Sequence, residues 1–89
     1  MNLLHMKYAL VVAEKHSINK AAQQLIVGAP ALSRAVKELE NSLGVILFER
    51  SVKGMTLTPD GEEFLPYIKN VYNAHRELIE KRNEMRGLE

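Results

Sequence analysis

INKAAQQLIVGAPALSRAVKELENSLGVILFERSVK, residues 18 to 53, is the stretch whose reading decides the fold. Two short helical patterns meet in it at Val27-Gly28-Ala29-Pro30. Pro30 suits the first turn of a helix beginning near Ala29, because an N–H missing there would have been unpaired anyway. Leu32, Val36, Leu39 and Leu43 then recur as one apolar stripe and leave Ser33, Arg34, Lys37 and Asn41 on other faces. Gly44 is placed to end that helix in the left-handed conformation. Upstream, a helix of about Ile18 to Ile26 turns Ile18, Ala21, Ala22 and Leu25 inward, its paired alanines admitting a neighbouring helix closely. Downstream, Val45 to Phe48 and Met55 to Thr58 read as short strands around Glu49–Gly54, a hairpin with a basic tip. Helix, turn, helix and basic hairpin is the order of parts in a winged helix-turn-helix, which lays one helix in the major groove of DNA while a β-loop touches the backbone.

Working outward, Leu3, Met6, Leu10 and Ala13 mark one face of a first helix from Asn2, its N-cap, to Lys15. His16-Ser17 interrupts it, and Ser17 or Asn19 can cap the next helix. On the other side, Thr58-Pro59-Asp60 opens a last helix as N-cap, first-turn proline and an acid at the positive end of the dipole. Phe64, Leu65, Ile68, Val71, Tyr72, His75, Leu78, Ile79 and Met85 keep returning along it to about Arg86. Such a helix is about 42 Å long, more than a core of about 30 Å diameter can cover. Its far end is expected to project, with apolar residues in need of a partner, and Pro66 is expected to bend it. The expected fold is therefore mainly α: three helices and a short β-hairpin wing over residues 1–58, then a long linker or dimerisation helix over 59–86. Gly87-Leu88-Glu89 is read as the unstructured end of a piece cut from a longer chain.

A chain of 89 residues suits a single domain with a modest core and no room for an enzyme's cleft. It contains no cysteine, which removes disulfides and thiolate metal sites and is compatible with a reducing cytosol. Its apolar runs fall far short of the roughly 20 residues a membrane span needs. The first residues carry no pattern of a secretory signal, so a cytoplasmic location is expected. The net charge of +1 divides unevenly, as +3 over residues 1–58 and −2 over 59–89, so the positive charge lies with the proposed reading head. His5, His16 and His75 are scattered and make no metal-ligand pattern. No catalytic constellation, phosphate-cradling loop or cofactor motif is read, and neither an enzyme nor a cofactor is expected.

Four groups of residues then carry a family resemblance: Ser17-Ile18-Asn19-Lys20-Ala21-Ala22 with Leu25; Pro30-Ala31-Leu32-Ser33-Arg34 with Val36 and Leu39-Glu40; Leu43-Gly44-Val45 with Leu47-Phe48-Glu49-Arg50; and Leu57-Thr58-Pro59 with Gly61. In this order and spacing, the chain from Leu3 to about Leu78 resembles the N-terminal DNA-binding domain of the LysR-type transcriptional regulators. The resemblance implies a winged helix-turn-helix whose long linker helix pairs antiparallel with that of a second subunit. It also implies a C-terminal domain that senses a small-molecule effector, absent from these residues, so that the chain reads as the excised reading head of a bacterial regulator. Three positions depart from the pattern. Gly28 and Ala29 stand where the family commonly has Ser and Gln, removing a capping hydroxyl and a base-edge amide, although alanine can touch a thymine methyl group. Ala9 replaces a common aromatic, which is expected to thin the core under the first helix.

The expected DNA contacts are Lys20, Ala29, Pro30, Ser33, Arg34, Lys37, Arg50 and Lys53. The helix Ala29–Ser42 would lie in the major groove and the wing Arg50–Gly54 on the backbone or minor groove. Arg34 suits a base edge or phosphate, with an ion pair to Glu38 as the competing reading. Ser33 and Lys37 suit phosphates or simple solvation. Arg50 could instead pair with Glu49 or an acid of the last helix. The expected pairing residues are Phe64, Ile68, Val71, Tyr72, His75, Leu78 and Ile79, giving a homodimer on an imperfect palindrome. The alternative is a winged-helix module for protein interaction or dimerisation without base readout, favoured by Gly28 and Ala29.

Overall fold

The protein is described over residues 1–87 by a computed structural model. Its elements run α1 (Leu3–Lys15), α2 (Ile18–Leu25), α3 (Ala29–Leu43), β1 (Phe48–Ser51), β2 (Gly54–Leu57) and α4 (Pro59–Met85). This is the mainly helical, winged arrangement expected from the sequence, with β1 and β2 forming one antiparallel hairpin. Leu88 and Glu89, read above as part of an unstructured end, lie outside the described residues. Gly87 forms a turn, its amide donating to the Glu84 carbonyl at 3.1 Å.

Local chemistry sets three of the helix starts. Asn2 Oδ1 accepts from the amides of Leu4 and His5, Ser17 Oγ from Lys20, and Thr58 Oγ1 from Gly61. At α3, Gly28 gives no side-chain cap and Pro30 occupies the first turn. His16 and Gly44 end α1 and α3 in the left-handed region. So does Ile26 after α2, with φ of 57°, so that the helix ends at Leu25, one residue before it was expected to stop.

Val12, Leu32, Leu39 and Leu47 are the largest fully buried side chains, surrounded by Met6, Ala9, Ala21, Ala22, Val36, Phe48 and Ile68. The buried line of α1 is Met6-Ala9-Val12, whereas Leu3, Leu10 and Ala13 are only partly covered. The difference arises because α1 packs against α2, α3, α4 and β2 together, which moves the centre of its buried face to Ala9.

The wing departs most from expectation. Its first strand begins at Phe48 rather than Val45, and the register pairs Phe48 with Leu57, Arg50 with Met55 and Ser51 with Gly54 around a Val52-Lys53 tip. The reason lies in who takes the backbone groups before Phe48. The Leu47 amide donates to the Glu40 carboxylate, the Leu47 carbonyl accepts from the Thr58 amide, and the Ile46 carbonyl accepts from the Thr58 hydroxyl. Residues 46 and 47, the first exposed and the second buried, therefore serve as a crossing rather than a ladder. Arg50 stands within β1 and not at the tip.

The first turns of α4 belong to the core. Gly61 is buried so close to the Leu47 carbonyl that a Cβ would collide with it, and Ile68 is buried beside Phe64. Past Ile68 no described residue of the helix is buried. It continues unbroken through the exposed Pro66 and gives the molecule extents of 48 × 26 × 19 Å. Among the described residues, no helix is long and apolar enough to cross a membrane.

Candidate nucleic-acid interface

Burial of Leu32, Ala35, Val36 and Leu39 fixes the rotation of α3 and leaves Pro30, Arg34, Lys37 and Asn41 exposed on its outward side. Ser33 is half-buried toward the wing. Between the helix and the hairpin runs a concave surface bordered by Ser17, Asn19, Ala29, Pro30, Ser33 and Arg50. A second hollow beside it also touches Ser33 and Arg50 and reaches Lys37 and Glu40. Five of the sequence-predicted contacts are thus brought onto one surface of two adjoining hollows, Ala29 and Pro30 at the first, Lys37 at the second, and Ser33 and Arg50 at both.

The other three lie outside it. Arg34 is turned about 100° from Ser33 around the helix, so it stands on the outward crest. Lys53 is exposed at the hairpin tip and Lys20 is exposed on α2.

Charge is left uncompensated on this side. Among the described residues the close contacts between basic and acidic side chains are His5 with Glu38 at 3.8 Å, Arg76 with Glu80 at 4.0 Å and Lys81 with Glu84 at 3.6 Å. None uses Lys20, Arg34, Lys37, Arg50 or Lys53. The competing pair of Arg34 with Glu38 does not form; the Glu38 carboxylate lies 3.8 Å from the His5 ring on α1. Arg50 likewise has no carboxylate within pairing distance among the described residues, and alternation along β1 sends Glu49 to the opposite face.

Two groups that hold the site together were not read from the sequence. Glu40 is buried, and one of its oxygens accepts from the amides of Leu47 and Phe48 at 2.8 and 3.2 Å. Its sequence signals are its place four residues after Val36, at the edge of the apolar stripe, and its part in the Leu39-Glu40 pair of the family resemblance, neither of which marked it as buried. The His16 carbonyl accepts from the Met55 amide at 2.9 Å and ties the second strand to the loop between α1 and α2.

On α4 the expected pairing residues divide. Ile68 is corrected: only 3% exposed, it packs in the domain's own core, and Phe64 is partly buried against the same core. Tyr72 borders a groove between α4 and α1 with Leu10 and Val11. Val71 and Leu78 are exposed, and His75 and Ile79 are half-exposed. Tyr67 and Met85, whose apolar character suits pairing or core packing, are also exposed.

Residues 3–62 match the family model described as bacterial regulatory helix-turn-helix protein, lysR family. The chain is 36% identical over 84 residues to the uncharacterized HTH-type transcriptional regulator YcgK of Bacillus subtilis, covering 94% of this chain and 26% of that protein. It is 40% identical over 67 residues to the HTH-type transcriptional regulator BenM of Acinetobacter baylyi, covering 75% of this chain and 22% of that protein. Among solved structures, the BenM DNA-binding domain in complex with catB site 1 DNA is similar at a TM-score of 0.87 and 32% identity, with 96% of each chain covered. The oxidised form of Corynebacterium glutamicum OxyR is similar at a TM-score of 0.88 and 32% identity, covering 97% of this chain and 26% of that one. The chain spans about a quarter of the length of the curated relatives it matches.

Proposed function

The chain belongs to the lysR family of bacterial regulatory helix-turn-helix proteins, a DNA-binding family, and we propose that it reads a specific double-stranded operator as a homodimer. The observation that carries this reading is a set of cations, Arg34, Lys37, Arg50 and Lys53, that have no carboxylate partner among the described residues: Lys37 and Arg50 border the hollows beside Ser33, with Arg34 on the outward crest of α3 and Lys53 at the hairpin tip. In this reading Ala29–Ser42 lies in the major groove with Arg34 toward base edges, Ser33 and Lys37 bind phosphate, and Arg50 and Lys53 meet the backbone or minor groove. Ala29 and Pro30 offer apolar contact to thymine methyl groups at the start of the helix. Lys20 adds a phosphate contact from α2.

Pairing is assigned to the projecting part of α4, through Val71, Leu78 and Ile79 with His75 beside them. Antiparallel pairing would present two reading heads to the half-sites of an imperfect palindrome. The reading places the protein in the cytoplasm without catalytic activity, and it assigns any small-molecule effector to residues beyond this chain.

Selection of bound sequences from a random DNA pool, with binding repeated across a salt series, tests the proposal. An enriched interrupted palindrome with a steep salt slope supports it. A steep slope without an enriched motif would mean that Gly28 and Ala29 have removed base readout. No binding at any salt would favour the protein-interaction module.

A further inference from the structure

Glu40 is the one buried charged side chain among the described residues. A carboxylate is held out of water only where donors replace the water, and here two backbone amides converge on a single oxygen. The side chain leaves the helix that carries Ser33 and Lys37. The amides it receives belong to Leu47 and Phe48, at the entrance of the strand that carries Arg50 two residues later. Glu40 also borders the hollow in which Ser33, Lys37 and Arg50 meet.

We propose that Glu40 is a positioning residue for the wing: its carboxylate clamps the entry of β1 to α3 and sets the separation between Arg50 and the Ser33–Lys37 face. The inference rests on the reading of this surface as the DNA contact. Three attachments hold the hairpin to the domain in complementary places. Thr58 holds residues 46 and 47 from the α4 side, the His16 carbonyl holds β2, and, beside the packing of Leu47 and Phe48 in the core, Glu40 supplies the hydrogen bonds that join the base of β1 to the reading helix among the described residues. An apolar side chain of similar volume would fill the space but leave two inward-pointing amides without an acceptor. The entry of β1 would then turn toward other acceptors, carrying Arg50 with it, while α3 keeps its own place through Leu32, Val36 and Leu39.

A merely structural role and a positioning role differ in what they do to bound DNA. Loss of stability weakens helix and wing contacts in proportion, whereas displacement of the wing removes only the wing's share. The experiment is hydroxyl-radical footprinting and the salt dependence of Kd on the selected operator, using wild type, Glu40→Gln and Glu40→Leu, each confirmed folded by circular dichroism at the assay temperature. Glu40→Gln, whose amide oxygen can accept both N–H groups, is expected to keep the wild-type footprint. Glu40→Leu is expected to lose protection at the wing phosphates, keep it at the centre of the recognition helix, and reduce the salt slope by about one to two per subunit. If Glu40→Leu does not fold, Glu40→Asp, which keeps the charge and retracts the acceptor by one methylene, takes its place with the same expectation. Wild-type wing protection in the acceptor-deficient variant, or equal loss of helix and wing protection, overturns the positioning role while leaving the DNA-binding reading intact. A wild-type protein that binds no DNA overturns both.

Discussion

Gly54 of the wing lies against the carbonyl oxygen of His16, so close that a Cβ at position 54 would overlap it. The next amide, that of Met55, donates to the same oxygen at 2.9 Å. One oxygen thus joins the loop after α1 to the second strand of the hairpin, and φ of 105° at Gly54 adds a backbone demand that glycine meets without strain. Gly54→Ala is expected to cost about 2 kcal/mol through strain and a weakened hydrogen bond. In thermal unfolding this corresponds to a Tm lower by roughly 10 °C; an unchanged Tm would show that the hairpin shifts freely.

Ile26 offers the opposite experiment. It is 90% exposed and left-handed, so a β-branched residue occupies a conformation that disfavours it by roughly 1–2 kcal/mol while burying almost nothing. Ile26→Gly relieves the strain, offset in part by the greater freedom of glycine in the unfolded chain. The expected net gain is about 1 kcal/mol, read as a higher midpoint in chemical denaturation; a lower midpoint refutes the strain account.

Arg34 and Lys53 are expected to fail differently. Arg34→Ala should weaken binding to the selected site by about 1–3 kcal/mol and relax preference at one position, as loss of a base contact does. Lys53→Ala should weaken all sequences alike and lower the salt slope by about one. Parallel selection experiments on the two variants separate these outcomes, and an unchanged specificity ratio for Arg34→Ala would move that residue to the phosphate-binding set.

Pairing through α4 can be tested without disturbing the core, because Leu78 is 66% exposed and Ile79 is half-exposed. The double substitution Leu78→Glu with Ile79→Glu is expected to give monomers in sedimentation at concentrations where the wild type is dimeric, with thermal unfolding of the winged domain retained. A wild-type chain already monomeric at high micromolar concentration removes the pairing proposal.

The helix starts were legible because their causes are local: Asn2, Ser17 and Thr58 cap turns only two or three residues away. The shifted strand was not, because the Val45-Ile46-Leu47 run reads as β structure until Glu40 and Thr58, distant in sequence, claim its backbone groups. The apolar stripe of α4 located a projecting helix but carried no mark of where the core ends, so Ile68 was placed with the pairing residues. An apolar Ile26 gave no sign of the left-handed stop at the end of α2. For the proposed DNA-facing side, residue type and helical phase put Ser33, Arg34 and Lys37 off the buried stripe, but which of them stand beside the wing depended on how the hairpin packs. Arg50 was assigned to the wing, but its place inside β1 depended on the strand shift.

Thr58 makes three attachments within one residue: its amide to Leu47, its hydroxyl to Ile46, and its oxygen as acceptor from Gly61. Pro59 begins α4 immediately afterwards, with no intervening loop. Head and helix are therefore keyed together like a gear on its shaft. In a dimer joined through α4, each residue inserted between head and pairing segment would advance the head by about 1.5 Å and rotate it by about 100°. Seven residues would return it to within about 20° of its original facing. Tolerance of such insertions would be periodic, and the operator spacings open to the protein would form a ladder of discrete phases set by the pitch of one helix.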